Sequence, residues 1–306
     1  MTSNWTSIIG VYTQKKNEIV FKGGKEEIDN DPPIAEIANL ICNEVFGGGK
    51  ITAEISFAKV DFPTACEIIM YWDPETQYFV SAGLGGGAHM CSIRTFAGKW
   101  TNHSLVGPIT NLEANKLYNL EVEMQGSRIT VKIDGITMTT TNLPYNLPRS
   151  QVGLWCQSEN DIVIKNFAVH REKPKVFVVM QFSSPYDELY EDVIKEICNE
   201  FNLEVLRGDE TFGPGLILSD ITKQISESKI IIAEISPANP NVFYEVGYAH
   251  ALNKPTILIA DRATKLPFDV SPFRTLFYEN SIAGKRKIEN GFRKHIEAVL
   301  SEKGLV

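Results

Sequence analysis

His170-Arg-Glu-Lys-Pro-Lys-Val-Phe-Val-Val-Met-Gln181 is the stretch on which the fold turns. Its first half is charged and carries Pro174, the composition of a short linker. Its second half, Val176–Gln181, is an unbroken apolar run of the kind buried on both faces of a parallel sheet. Outward from this boundary the chain has two different periods, which divides it into residues 1–170 and 174–306. A length of 306 residues suits two domains at roughly 150 residues each.

Upstream, from about Gly49 to Val169, apolar residues alternate with polar ones and are interrupted by Gly, Pro and Asn-rich turns. Lys50-Ile-Thr-Ala-Glu-Ile-Ser-Phe57 places Ile51, Ala53, Ile55 and Phe57 on one face. Leu117-Tyr-Asn-Leu-Glu-Val-Glu-Met124 does the same with Tyr118, Leu120, Val122 and Met124. Arg128-Ile-Thr-Val-Lys-Ile133 then runs into Asp134-Gly135, a hairpin turn of the positive-φ kind. Short strands follow at Gln151–Cys156 and Ile162–Val169. This is the pattern of an antiparallel β-sandwich. The one helix expected here is Pro33–Val45, behind the Asp31-Pro-Pro33 start signal. Tyr118–Gly135, with Val152-Gly-Leu-Trp155 and Ile162–Val169, resembles the concanavalin-like, laminin-G-like jelly-roll sandwiches over roughly residues 45–170. That resemblance implies a domain that binds a glycan or a protein, or one that is merely structural. Trp72, Trp100 and Trp155 are available either for core packing or for stacking on a sugar. Gly83-Leu-Gly-Gly-Gly-Ala88 has no helix pattern after it and reads as turns, not as a dinucleotide loop.

Downstream, strands alternate with helices. Strands are expected at Val176–Gln181, Leu203–Leu206, Lys229–Ile235, Pro255–Ala260 and Thr275–Tyr278. Helices are expected at Pro185–Phe201, Leu216–Ser228, Val242–Leu252 and Arg286–Ser301. Such an order means an α/β flavodoxin-like open sheet with its site at the carboxyl ends of the strands. Residues just beyond those ends are therefore the candidates: Phe182, Ser183 and Asp187, then Arg207-Gly-Asp-Glu210, then Glu234 and Asn239, then Asp269 and Arg274.

Asn239-Pro-Asn-Val-Phe-Tyr-Glu-Val-Gly-Tyr-Ala-His-Ala-Leu-Asn-Lys-Pro255 resembles the signature helix of the nucleoside 2-deoxyribosyltransferase-like and TIR-like (Toll/interleukin-1 receptor-like) proteins. The likeness covers about residues 175–280. It implies cleavage of an N-glycosidic bond, in NAD+ or in a nucleoside, by the glutamate that falls on Glu245. Where the transferases carry aspartates at the end of strand three and six residues before that glutamate, this chain has Glu234 and Asn239. In the residues themselves, Asn241 can cap the third helix, which puts Glu245 in its first turn among Phe243, Tyr244 and Tyr248.

For the remaining candidates the residue types leave alternatives. Phe182 suits an aromatic ring of the ligand or the core, and Tyr248 is expected to contact the substrate. Ser183 and Asp187 suit ribose hydroxyls or the cap of the first helix. Arg207 and Arg274 suit phosphates, or ion pairs with Asp209, Glu210 or Asp269. Asn239 is a turn residue or a ligand contact, Asp209 and Asp269 are acids within reach of a leaving group, and His250 reads as packing.

Composition sets limits on partners. The net charge is −8, and residues 1–173 and 174–306 each carry 15 lysines and arginines against 19 acids, which argues against nucleic acid or an anionic membrane. No apolar run reaches ~20 residues, and five dispersed cysteines read as buried thiols without a metal site. The combined expectation is a cytoplasmic NAD+ hydrolase with NAD+ as substrate and no further cofactor, acting as a homo-oligomer in the manner of antiphage effectors. Joined to such an effector-like second half, the sandwich is expected to sense or assemble, with a glycan, a protein or a phage component as its unknown ligand. Plain and cyclised ADP-ribose are both open as its product. The alternatives are a nucleoside 2-deoxyribosyltransferase or nucleotide N-glycosidase, and a TIR-like adaptor or nucleotide-signal receptor without activity.

Overall fold

A computed structural model describes residues 4–26, 34–210, 217–266 and 273–302. The chain separates into two compact units. The first comprises residues 1–124, 128–143 and 149–172; the second comprises 125–127, 144–148 and 173–306.

The first unit is an all-β jelly-roll sandwich of two seven-stranded sheets. One sheet runs in the order Trp5–Ile9, Ile37–Phe46, Ser150–Gln157, Ala65–Trp72, Phe79–Gly85, His89–Phe96, Trp100–Pro108. The other runs Ile136–Asn142, Arg128–Ile133, Tyr118–Gln125, Gly49–Phe57, Ile162–Arg171, Glu18–Phe21, Tyr12–Lys15. The alternation seen in the sequence is the burial seen in the sheet: Ile51, Ala53, Ile55 and Phe57 are buried, as are Tyr118, Leu120, Val122 and Met124 of the neighbouring strand. Asp134 and Gly135 both have positive φ, and Ile133 pairs with Ile136 across them, as the hairpin requires.

The helix expected over Pro33–Val45 is instead a strand, Ile37–Phe46, paired with Trp5–Ile9 and Ser150–Gln157 (Pro33 itself lies outside the described residues). The cause is burial on both faces. Ala38, Leu40, Cys42 and Phe46 line one side, Asn39 and Ile41 the other, so Ile37, Leu40, Ile41 and Val45 imitate helical spacing. Ladder partners on both sides override that imitation.

Behind Trp100 and Trp155 lies a buried ion pair. Glu67 is wholly enclosed and accepts hydrogen bonds from Ser81 Oγ at 2.6 Å, Ser92 Oγ at 2.5 Å and Arg94 Nε at 2.9 Å. The Arg94 guanidinium lies 3.9 Å from the centre of the Trp100 ring and 5.0 Å from that of Trp155. Trp72 and Trp155 are buried in the same aromatic cluster, so packing is the fate of these tryptophans. All five cysteines are buried free thiols.

The second unit is built on a parallel sheet of β1 (Lys175–Val179), β2 (Glu204–Arg207), β3 (Ile230–Glu234), β4 (Thr256–Asp261) and β5 (Thr275–Tyr278). Their order is β2-β1-β3-β4-β5. The helices are α1 (186–200, with a π-helical middle at Tyr190–Lys195), α2 (Ile217–Glu227), α3 (Pro240–Ala251) and α4 (Ile282–Glu302). Val176, Val178, Ile230 and Ile232 face Val193, Ile194 and Ile197 of α1 and Phe292 and Ile296 of α4. Phe177, Val179, Ile231 and Ala233 face Ile225 of α2 and Val242, Val246 and Ala249 of α3. Both faces of the central strands are thus covered, which is why their sequences are continuous apolar runs. No helix among the described residues is long and apolar enough to cross a membrane.

Candidate active site

The strand order reverses at β1: α1 leads from β1 to β2 on one side, and α2 carries the chain from β2 back across β1 to β3 on the other. Ligands of such sheets bind outside the carboxyl ends of the strands where the order reverses. A cavity of about 590 Å³ opens at that place. Met180, Gln181 and Phe182 after β1, Gly208 after β2, Leu218 and Ile221 of α2, and Asn239, Asn241, Tyr244 and Glu245 around the start of α3 line it.

Glu245 owes its position to the way α3 begins. Asn239 is the N-cap, its Oδ1 accepting the Asn241 N–H at 3.0 Å, and Pro240 occupies the first helical position. The expected cap at Asn241 is therefore two residues late, because Pro240, which has no N–H to satisfy and φ already fixed, starts the helix earlier. Glu245 accordingly lies in the second turn, about 7.5 Å along the axis from Pro240. The helix dipole acts mainly within the first turn, so charge complementation of the helix end does not account for this carboxyl. Glu245 makes no hydrogen bond or ion pair with any described residue. Burial alone raises its pKa to about 7.

The other expected site residues divide into two groups. Phe182 and Asn239 line the cavity with Glu245. Beside Phe182, Arg207 grips Asp209 with two parallel bonds (Nε–Oδ1 2.6 Å, Nη2–Oδ2 2.7 Å) and Asp187 Oδ1 with Nη1 at 2.8 Å. Its guanidinium lies 5.4 Å from the Phe182 ring centre. The ion-pair alternative for Arg207 is the one found, and Asp187 serves it and not a helix cap. Ser183 Oγ accepts from Gln181 Nε2 at 2.9 Å, and no side chain caps α1. Tyr248 packs on the core side of α3, His250 stacks on Phe273 at 4.6 Å, and Arg274 is exposed away from the cavity. Asp269 lies outside the described residues.

Glu234 is not at the cavity. It shares the face of Ile230 and Ile232, opposite α3, and is only 1% exposed. Its carboxylate accepts from Ser236 N–H at 3.1 Å, from Ser236 Oγ, and from Tyr278 Oη at 3.2 Å, while Ser236 Oγ accepts the Asp261 N–H at 2.7 Å. A strand-end acid was expected to reach the ligand, but period two turns this one to the other side of the sheet. Burial raises its pKa from 4.5 to about 7, opposed by those hydrogen bonds. The folded chain therefore holds a proton that the unfolded chain releases between about pH 4.5 and pH 7, so stability declines as pH rises through that window. Glu234→Gln is expected to flatten part of this slope, by on the order of 2 kcal/mol, in urea titrations at pH 5 and pH 8. An unchanged slope would contradict the assignment.

Tyr244 and Leu218 were missed. Both are large apolar side chains left in solvent, Tyr244 56% and Leu218 52% exposed, and both line the cavity. In the sequence they lie within otherwise apolar helical patterns, and only the direction of the helix face separates them from core residues.

No family model and no curated relative matches the chain. Among solved structures it is similar to a carbohydrate-binding module, CBM66, from Bacillus subtilis, with 14% identity and a TM-score of 0.44 over 54% of this chain and 94% of that one. It is also similar to a β-glucanase from Bacillus licheniformis, with 12% identity and a TM-score of 0.39 over 54% and 90%. A Bacillus subtilis protein of galectin-like fold is similar at 13% identity, with a TM-score of 0.38 over 55% and 89%. At these identities the likeness is one of fold.

Proposed function

We propose that the second unit is a flavodoxin-like, TIR-like domain that cleaves an N-glycosidic bond, with NAD+ as substrate and Glu245 as the catalytic carboxylate. The observation that carries this reading is an unpaired, half-buried carboxyl lining a cavity at the switch point of a parallel sheet. The sheet order and the Asn239–Pro255 motif, whose helix is α3, support the family assignment.

The chemistry needs little more than that carboxylate. As the bond from C1′ to the pyridinium nitrogen breaks, its electron pair goes to nitrogen, and nicotinamide leaves neutral without an acid to protonate it. Positive charge grows at C1′, where Glu245 stabilises it or bonds to it. Water then completes the substitution at C1′, giving ADP-ribose and one proton. A purine leaving a nucleoside would need a proton donor, and the cavity presents no second acid among its described residues. The sandwich serves in this reading as the sensing and assembly unit of an oligomeric effector.

Only ionised Glu245 can act, so kcat/KM for nicotinamide release should rise with pH through about 7 and level off above it. The cationic ring, once bound, favours the carboxylate, so the kcat profile should lie at lower pH than the kcat/KM profile. Profiles measured on the purified chain from pH 5 to pH 9 test both. Exchange of free bases into deoxynucleosides, without nicotinamide release, would transfer the assignment to the deoxyribosyltransferases.

A further inference from the structure

Charge is unevenly distributed around the cavity. Glu245 is the one charged side chain among its described lining residues. The neighbouring cation, Arg207, has its fork closed on Asp209 and its remaining nitrogen on Asp187. Among the described residues, three carboxyls (Glu245, Asp209 and Asp187) thus stand against one guanidinium. The mouth, by contrast, is rich in exposed apolar surface: Phe182 is 49%, Leu218 52% and Tyr244 56% exposed, all three on this one cavity. Exposed aromatic walls with a nearby carboxyl suit a flat cation, which ring faces and carboxylate both attract. The same carboxyls repel a diphosphate.

We propose that the cavity recognises only the pyridinium-ribosyl half of its substrate, with Phe182 and Tyr244 as aromatic walls and C1′ at Glu245, and makes no ionic contact with the diphosphate. A pyridinium riboside without any phosphate is then a full substrate, and Tyr244 is a specificity-determining residue. This rests on the N-glycosidase reading above and narrows it to a substrate class. The bond broken and the bond formed are those already described, with water as co-reactant.

The test compares nicotinamide release by the full chain from NAD+, nicotinamide mononucleotide and nicotinamide riboside, at low and high salt. The expected result is kcat/KM values within about tenfold of one another, little affected by salt, all lowered by a common factor of roughly 10–100 in Tyr244→Ala. Cleavage of NAD+ more than ~10³-fold better than of the riboside would overturn the inference and leave the N-glycosidase reading intact. Inertness toward all three substrates would remove the proposed activity, and calorimetric titration then decides the recognition alone. Binding of 1-methylnicotinamide that weakens at least about tenfold in Tyr244→Ala supports it, and tighter binding of ADP-ribose than of the pyridinium overturns it.

Discussion

Glu245→Gln is expected to lower nicotinamide release at least ~10³-fold, on the order of 4 kcal/mol of transition-state stabilisation, with the fold intact. The amide matches the carboxylate in shape, so the cavity is preserved and only the charge facing C1′ is removed. Stability should move the opposite way. Because burial raises Glu245 from 4.5 to about 7, its ionisation in the folded chain opposes folding as pH rises through that interval. Glutamine removes this opposition, so above pH 7 the variant should melt at the same temperature as the parent or slightly higher. Loss of activity together with unchanged or improved stability is the mark of a carboxyl held for chemistry. Retention of activity within tenfold would sink the assignment, whatever the melting temperature.

Glu67→Ala should have the largest effect on stability, about 3–5 kcal/mol, because it leaves the Arg94 guanidinium buried without its carboxylate and removes the acceptor of Ser81 and Ser92. The double replacement Glu67→Gln with Arg94→Met should cost less than the sum of the singles, since neither charge is then stranded. All four tryptophans, Trp5, Trp72, Trp100 and Trp155, belong to the sandwich, so tryptophan fluorescence in a urea titration reports this unit. A cost below about 1 kcal/mol for Glu67→Ala would mean that Arg94 finds other partners.

Much of this architecture was legible before any coordinates. Half-buried strands such as Gly49–Phe57 and Tyr118–Gln125 show their outer faces as polar residues at every second position, and the β/α half announces itself by the reach of its apolar runs. The strand Ile37–Phe46 escaped because both faces are largely buried and its polar residues, Asn39, Asn43 and Glu44, do not recur at every second position. At the site, the motif gave Glu245 its place, and the strand ends gave Phe182. The direction of side chains could not be read at that level: Glu234 points through the sheet, Tyr248 into the core and Tyr244 into the open, although all three sit at or next to positions the motif marks. Ion pairing was equally hidden, since Arg207 lies two residues from one aspartate but twenty from the other.

The Glu234 bonds have a use beyond the sheet they sit in. Glu234, Asp261 and Tyr278 end three adjacent strands, and through Ser236 they fasten the turn that delivers Asn239 and the first residues of α3. The point from which Glu245 is aimed is therefore fixed from the far side of the sheet, by groups that no ligand in the cavity can touch. Phe182 and Leu218 belong to no part of that fastening. Tyr244 rides on the same anchored helix start as Glu245, whereas Phe182 and Leu218 stand on other segments; on the proposed reading those two walls can be recut for a different ring while the carboxylate stays on its mark.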